Sequence, residues 1–430
     1  MKVLIASSAT GGHIYPALAI AEEMKGRVPV AEFLFVGAKW EVSKDIVRAA
    51  GYRQAFIDAR GFHGRNPIKN IGTLAALVRM SKEIGKILRE FKPDICIGTG
   101  GHVSGPVVRA AKKAGVRTVL QEQNVLPGVA NKLAERYADT IFVGFEDTVG
   151  RFKRPEKGIV SGNPVRAMIE RPEVCRPGMR QKYGVPDGAF CVLVFGGSQG
   201  ADAINKAAVN AIRSIGGRKG YFFILIAGRD YYEETAQAIY EATQGDGSYV
   251  SMTQGDGSSV SGHEDEAKAT QGDGSYVSGQ EKRAVCFEYA EAIHELYAAA
   301  DLIVSRAGAL TVTEIAHSGR ASILIPSPNV TNNHQYYNAK TLADAGAAVL
   351  LTEDELSMDI CNNRNNNGSG NDKDKNNEGD NYYKGSRLLS EIESLARNPD
   401  IALGMGRAAA GLAKKEAAKV IVDEILGKQA

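Results

Sequence analysis

The chain has little of what marks several common classes of protein. It carries five cysteines in 430 residues with no Cys-x-x-Cys pair, which excludes a disulfide scaffold and a thiolate zinc site. Lys and Arg total 52 against 50 for Asp and Glu, so the overall balance offers no polyelectrolyte surface for nucleic acid, and any basic patch must be local. No run approaches the ~18 consecutive apolar residues of a membrane span. The N-terminus has no charged segment leading into an apolar one, so no export signal is expected and a cytoplasmic location follows. What is present is an ordinary soluble composition, 43% hydrophobic and 24% charged, at a length that favours two domains. Cys96, Cys191 and Cys286 lie in apolar strand-like runs and are expected to be buried, reduced thiols.

Short apolar runs recur with helical stretches between them. They stand first at 3–5, 32–36, 95–97, 118–120 and 140–143, with helical stretches such as 16–25 and 128–137 between. The rhythm restarts at 192–195 and continues through 222–226, 284–287, 302–304, 322–325 and 348–351. Alternating β and α elements imply parallel, doubly wound sheets in two α/β domains. These are expected over residues 1–163 and 164–403, with a hinge near Gly162-Asn163-Pro164; the Ala-rich segment 404–430 is read as a helix packing back on the first domain. Two stretches break the rhythm: 243–280, with three near copies of Thr-Gln-Gly-Asp-Gly-Ser-Tyr-Val-Ser, and 361–385, rich in Asn, Gly, Asp and Lys. Both have too little apolar content to offset ordering entropy and are expected to be disordered insertions.

Glycine-rich turns follow two of the strands: Ser7-Ser8-Ala9-Thr10-Gly11-Gly12-His13 and Gly196-Gly197-Ser198-Gln199-Gly200-Ala201. Each leads into a helical pattern, which leaves backbone N–H groups at a helix start to meet phosphate or sugar oxygens. Neither is a complete dinucleotide-binding or Walker A turn, so a plain strand-to-helix connection is the competing reading. Four more clusters fall just after strands, where ligands collect in a doubly wound sheet. They are 98–106, Gln121-Glu122-Gln123-Asn124, 162–166 and 305–314. In the last, Ala309-Leu310-Thr311-Val312-Thr313 opens a helix whose amides and dipole suit a diphosphate, and Glu314, one turn on, is placed for ribose hydroxyls. The alternative is a plain capped helix whose Glu314 turns to its own first turn. No paired acidic motif stands at a suitable strand end, so no metal site is expected.

Taken in order, residues 10–17, 98–106, 122–124, 162–166, 196–201, 305–314 and 334–339 resemble the MurG family, the N-acetylglucosaminyltransferases of peptidoglycan synthesis. The resemblance covers nearly the whole chain outside the two insertions. It implies a GT-B fold, two Rossmann-like doubly wound parallel-sheet domains with an interdomain cleft. It also implies inverting transfer of GlcNAc from UDP-GlcNAc to the muramyl 4-hydroxyl of lipid I, an undecaprenyl-diphosphate acceptor, giving lipid II. The reaction would run at the cytoplasmic face of the cell membrane, with no cofactor and no metal. Carried over, Arg166, Ser198, Ala290, Ala309, Leu310, Thr311, Val312, Thr313, Glu314 and Gln335 would hold UDP-GlcNAc from the C-terminal domain. Thr10, Gly11, Gly12 and Asn124 would meet the donor sugar and the acceptor from the other side. His13 is the leading candidate base, because it ends a glycine turn and imidazole is the side chain that titrates nearest neutral pH. Glu122 is the second candidate. Arg166 suits phosphate or uracil through its fork of donors.

Ser7-Ser8-Ala9 stand where the family has glycines, and Gln121 stands where it has His. An acceptor with a polyprenyl tail also calls for an apolar patch with basic residues at the membrane surface. Residues 60–92 supply the pattern: Leu74, Leu77, Val78, Ile84, Ile87 and Leu88 at helical spacing, Arg79, Lys82, Lys86 and Arg89 around them, and Phe62, Ile68 and Ile71 just before. A helix packed on the sheet is the competing reading. Three alternatives stay open: a UDP-GlcNAc 2-epimerase, a transferase acting on diacylglycerol, and a sugar-nucleotide-binding regulator without turnover. An epimerase would need acidic groups for proton abstraction, for which Glu122 is the obvious candidate.

Overall fold

The central strands are continuous apolar runs rather than alternating ones, as a parallel sheet covered on both faces requires. Residues 3–7 and 95–100 are buried at every position. The computed structural model describes residues 1–7, 11–39, 43–59, 67–170, 175–197, 199–216, 218–243, 248–253, 281–356 and 386–427. It is built as two units, Met1–Glu170 with Lys414–Ala430, and Arg171–Ala413.

The first unit runs β1 (Lys2–Ser7), α1 (Gly11–Arg27), β2 (Glu32–Ala38), α2 (Ser43–Ala49), β3 (Arg53–Ile57), α3 (Pro67–Phe91), β4 (Ile95–Gly100), α4 (Gly101–Lys113), β5 (Arg117–Glu122), α5 (Val129–Ala134), β6 (Thr140–Val143), β7 (Gly158–Val160) and α6 (Ala167–Glu170). Its strands form a seven-stranded parallel sheet in the order β3-β2-β1-β4-β5-β6-β7. The strand order reverses between β1 and β4, the switch point outside which ligands of such sheets bind. Successive residues face opposite sides. Leu4, Leu34, Cys96 and Leu120 pack with Ile84 and Leu88 of α3 and Val103 and Val107 of α4. Val3, Ile5, Ile97 and Val119 pack with Ile14, Leu18 and Met24 of α1.

The second unit runs α7 (Arg176–Tyr183), β8 (Phe190–Phe195), α8 (Asp202–Ile215), β9 (Tyr221–Ile226), α9 (Tyr232–Thr243), β10 (Ser248–Thr253), β11 (Glu281–Phe287), α10 (Ile293–Ala299), β12 (Leu302–Ser305), α11 (Ala309–Ser318), β13 (Ala321–Leu324), α12 (His334–Asp344), β14 (Val349–Leu350), α13 (Arg387–Arg397) and α14 (Pro399–Leu412). Its seven parallel strands lie in the order β10-β11-β9-β8-β12-β13-β14, with the switch point between β8 and β12. The two sheets are the doubly wound pair of a GT-B fold.

Four expectations from sequence are corrected. The divide falls after Glu170 rather than after residue 163. The single helix read over 404–430 is two: α14 belongs to the second unit, and α15 (Ala417–Leu426) belongs to the first. The exposed Lys414 and Lys415 carry no apolar stripe to bury, and Glu416, at φ +59°, turns the chain before α15 sets Ile421, Val422 and Ile425 against the α1 face. Residues 243–280 are not wholly without structure, since Ser-Tyr-Val-Ser of the first repeat copy lies in β10, parallel to β11 at the sheet edge. Tyr249 and Val250 are strand-favouring residues amid the polar repeat. Lastly, Ile84 and Leu88 are core residues at 2% and 9% exposure rather than part of a surface patch. Residues 361–385, Phe62, and the side chains of Ile68, Ile71, Leu74 and Leu77 lie outside the described residues. No helix among the described residues is long and apolar enough to cross a membrane.

Candidate functional site

In the first unit α1 opens at Gly11 shortly after β1, and α4 opens at Gly101 directly after β4, its neighbour in the sheet. The strand-end position is what turns both helix starts toward the switch point. His13 sits in the first turn of α1, and its Nδ1 lies 2.9 Å from Gln123 Oε1. Gln123 is carried just past the end of β5, and its Nε2 donates to the Thr99 carbonyl at 2.7 Å, the Gln121 carbonyl at 3.3 Å, and Gln121 Oε1. Gln121 Nε2 donates to Asn163 Oδ1 at 3.0 Å, and Asn163 Nδ2 donates to the Gln123 carbonyl at 3.0 Å. Gly100, at φ +110°, closes over the imidazole; a Cβ there would stand 2.6 Å from His13 Nδ1.

Glu122, the second candidate base, is enclosed by hydrogen-bond donors. It is 1% exposed, and its two oxygens each accept twice. Oε1 takes the Asn124 N–H at 2.9 Å and Asn124 Nδ2 at 3.2 Å; Oε2 takes the Gly128 N–H at 2.9 Å and Asn131 Nδ2 at 2.9 Å. A carboxylate that accepts from four donors holds the 124–131 segment to the sheet. Asn124 is thereby fixed, with its carbonyl accepting from Thr148 Oγ1 at 3.2 Å. Gly12 is exposed and Gly11 half-buried, while Thr10 lies outside the described residues.

Arg166, expected in the C-terminal domain, is corrected in its placement alone. It belongs to the first unit, where its guanidinium lies 5.1 Å over the Tyr15 ring, one turn along α1 from the glycines. The chain leaves that unit only after Glu170, whose carboxylate accepts the Glu416 N–H.

In the second unit the turn after β8 packs on the turn after β9 without room for side chains. A Cβ on Gly200, at φ +81°, would stand 2.2 Å from the Ala227 carbonyl oxygen. Ser198 lies outside the described residues. Across the switch point α11 begins at Ala309, capped by Gly308 with no side-chain hydrogen bond, so the amides of its first turn have no acceptor within the helix. Thr313 Oγ1 turns back to the Ala309 carbonyl at 2.9 Å, which accounts for that hydroxyl. Leu310, Thr311 and Val312 complete the turn. Glu314 Oε2 accepts from the Tyr297 hydroxyl of α10 at 3.0 Å, and Tyr297 is 3% exposed. Ala290 is half-buried in the turn after β11. Gln335, at the start of α12, accepts the Ser327 N–H on Oε1 at 2.9 Å, which turns its amide nitrogen the other way.

The structure thus gathers His13, Gly11, Gly12, Asn124 and Arg166 on one unit, and Ala290, the 309–314 turn and Gln335 on the other. Sequence reasoning missed Gln123, Asn163 and Tyr297 as partners of site residues; their signal lay in the clusters and α10, but each partnership is made across distant chain segments. Among the described residues no group of three or more His, Cys, Asp or Glu could hold a metal ion.

The family descriptions "Glycosyltransferase family 28 N-terminal domain" and "Glycosyltransferase family 28 C-terminal domain" match residues 3–143 and 259–378. A curated relative from Alkaliphilus oremlandii (strain OhILAs), named UDP-N-acetylglucosamine--N-acetylmuramyl-(pentapeptide) pyrophosphoryl-undecaprenol N-acetylglucosamine transferase, is 36% identical over 84% of this chain and 88% of its own. One of the same name from Desulforudis audaxviator (strain MP104C) is 34% identical over 99% of this chain and 98% of its own. Among solved structures, Acinetobacter baumannii MurG superposes with a TM-score of 0.66 at 22% identity, covering 99% of both chains. A UDP-GlcNAc 2-epimerase from Neisseria meningitidis, bound to UDP-GlcNAc, superposes with a TM-score of 0.59 at 13% identity, covering 99% of this chain and 100% of its own. At such identities the structural likeness is one of fold.

Proposed function

The chain belongs to glycosyltransferase family 28, and from that premise we propose that it transfers GlcNAc from UDP-GlcNAc to the muramyl 4-hydroxyl of undecaprenyl-diphospho-MurNAc-pentapeptide. The product is lipid II, formed with inversion at the sugar. The observation that carries this reading is 34% identity over 99% of the chain with a relative of that named activity. The second unit holds the donor: the first-turn amides of α11 and its dipole take the diphosphate, Glu314 the ribose, and Ser198, Ala290 and Gln335 the rest of UDP-GlcNAc. The first unit receives the acceptor and the sugar at Thr10, Gly11, Gly12 and Asn124. His13 takes the proton of the attacking hydroxyl on Nε2, since Nδ1 is engaged by Gln123. Arg166, held over the Tyr15 ring, supplies positive charge for the leaving diphosphate. An epimerase loses its support here, because its candidate acid, Glu122, is fully engaged in holding a loop.

Acceptor access fits an exposed stripe of α3. Val78, at 52% exposure, stands with exposed Arg79, Lys82, Lys86 and Arg89, an apolar point within cations that suits an anionic membrane surface. Vesicles of anionic lipid should bind the protein more tightly than neutral ones, and equal binding sinks this part. The central test is UDP release from UDP-GlcNAc by purified protein in detergent, with and without lipid I. Release that depends on lipid I is the expected result, and binding without release in both conditions overturns the reading. His13→Ala should lower kcat by ~10²-fold or more with little change in KM for UDP-GlcNAc.

A further inference from the structure

We infer that Gln123 is a positioning residue that holds neutral His13 with its proton on Nδ1 and its lone pair on Nε2. The inference rests on the reading of His13 as the base and adds what prepares it. The argument begins at a group that cannot flip. The Gln123 backbone carbonyl can only accept, so the Asn163 nitrogen lies toward it, at 3.0 Å, and Asn163 Oδ1 points to Gln121. Gln121 Nε2 donates to that oxygen at 3.0 Å, which turns Gln121 Oε1 toward Gln123 Nε2. The same nitrogen faces the Thr99 carbonyl at 2.7 Å and the Gln121 carbonyl at 3.3 Å.

Three oxygens around one amide nitrogen exclude the reversed amide, which would set oxygen against oxygen in a buried place. Gln121, Gln123 and Asn163 are 0%, 2% and 1% exposed, so water cannot make good a reversal. Gln123 Oε1 is therefore an acceptor aimed at His13 Nδ1, 2.9 Å away. An acceptor requires a proton on Nδ1, and a neutral imidazole has only one, so Nε2 carries the lone pair. Gly100 shuts the ring in from another side, its missing Cβ leaving the 2.6 Å that a side chain would close. The polarity of the chain of amides is set by backbone and involves no titratable side chain.

The test is nitrogen NMR of labelled histidine in the full chain without substrate, at a pH where imidazole is neutral, with His13→Ala assigning the signal. The unaltered protein should show a protonated, pyrrole-type Nδ1 and a pyridine-type Nε2 at His13. Gln123→Met should relax that state toward a mixture and lower kcat by at least ~10-fold, part of what a positioned base supplies, with KM for UDP-GlcNAc unchanged. A pyridine-type Nδ1 in the unaltered protein overturns the inference, and that measurement stands even if Gln123→Met fails to fold. A folded Gln123→Met that keeps both tautomer and kcat overturns it equally. The tautomer is read without turnover, so a fully active His13→Ala would remove the base reading while the Nδ1–H state, if found, upheld the amide chain.

Discussion

The four donors on Glu122 give a sharp contrast between holding and reacting. Replacing it with Gln keeps the shape but turns an NH₂ group toward N–H donors on one side of the cage. Glu122→Gln is expected to cost about 1–3 kcal/mol of stability, read as a lower denaturation midpoint. A catalytic carboxylate would instead lose kcat at unchanged stability. Three thiols make a second prediction. Burial pushes Cys96, Cys191 and Cys286 up to about 12 from 9.0. A thiol whose folded value is raised contributes stability that is whole below its unfolded value and lost as pH climbs toward the folded one. Denaturation midpoints should therefore fall as pH rises above about 9, and fall less steeply in Cys96→Ala. At this scale the sequence was legible where a residue's neighbours in the chain decide its fate, as for these thiols in apolar runs. It was not legible for His13, whose partner is 110 residues away and meets it only because β1, β4 and β5 lie side by side.

Among elements, the pairing of α10 with α11 is the least obvious and the most open to measurement. Tyr297 reaches from one helix to Glu314 on the other, with its ring 6.1 Å from that of Phe195 at the end of β8. If Glu314 meets the ribose, Tyr297→Phe should raise KM for UDP-GlcNAc by about 2- to 10-fold, the worth of one hydrogen bond, while kcat holds. Equal KM values would show that Tyr297 is no part of donor binding. Elements were read well where a buried run of β-branched and aromatic residues was unbroken, as at β8 and β9. The same periodicity left two readings open at α3, because a stripe at helical spacing looks alike whether it meets a sheet or a membrane; Ile84 and Leu88 went to the sheet. In β10 a four-residue strand signal was submerged in a polar repeat whose average composition argues against order.

At the scale of the whole molecule, the first unit is made from two separate stretches of chain. Arg117 donates to the Ile425 carbonyl at 2.6 Å, Arg27 pairs with Asp423, and Ile421, Val422 and Ile425 enter the core beside Val3 and Ile5. Each of those side chains is worth about 1.5–3 kcal/mol when fully buried, against a net stability of ~5–15 kcal/mol for a typical domain. A chain truncated after Ala413 is expected to lose the cooperative unfolding of the first unit and expose α1 to protease, while the second unit keeps its own transition. Retention of both transitions would show that α15 is dispensable. The division into two doubly wound sheets was plain from the restart of the β–α rhythm, but the return of α15 was only partly so, since the break at Lys414-Lys415-Glu416 is a short polar interruption within an Ala-rich segment that otherwise reads as one helix.

That return also sets an order of events during synthesis. A ribosome adds roughly 5–20 residues per second, so the strands of the first unit emerge and then wait, on the order of tens of seconds, while residues 171–413 are made. The unit begun first is thus the last to be completed. Through that interval the α1 face that receives Ile421, Val422 and Ile425 stays uncovered, and it is covered only once α15 has been made.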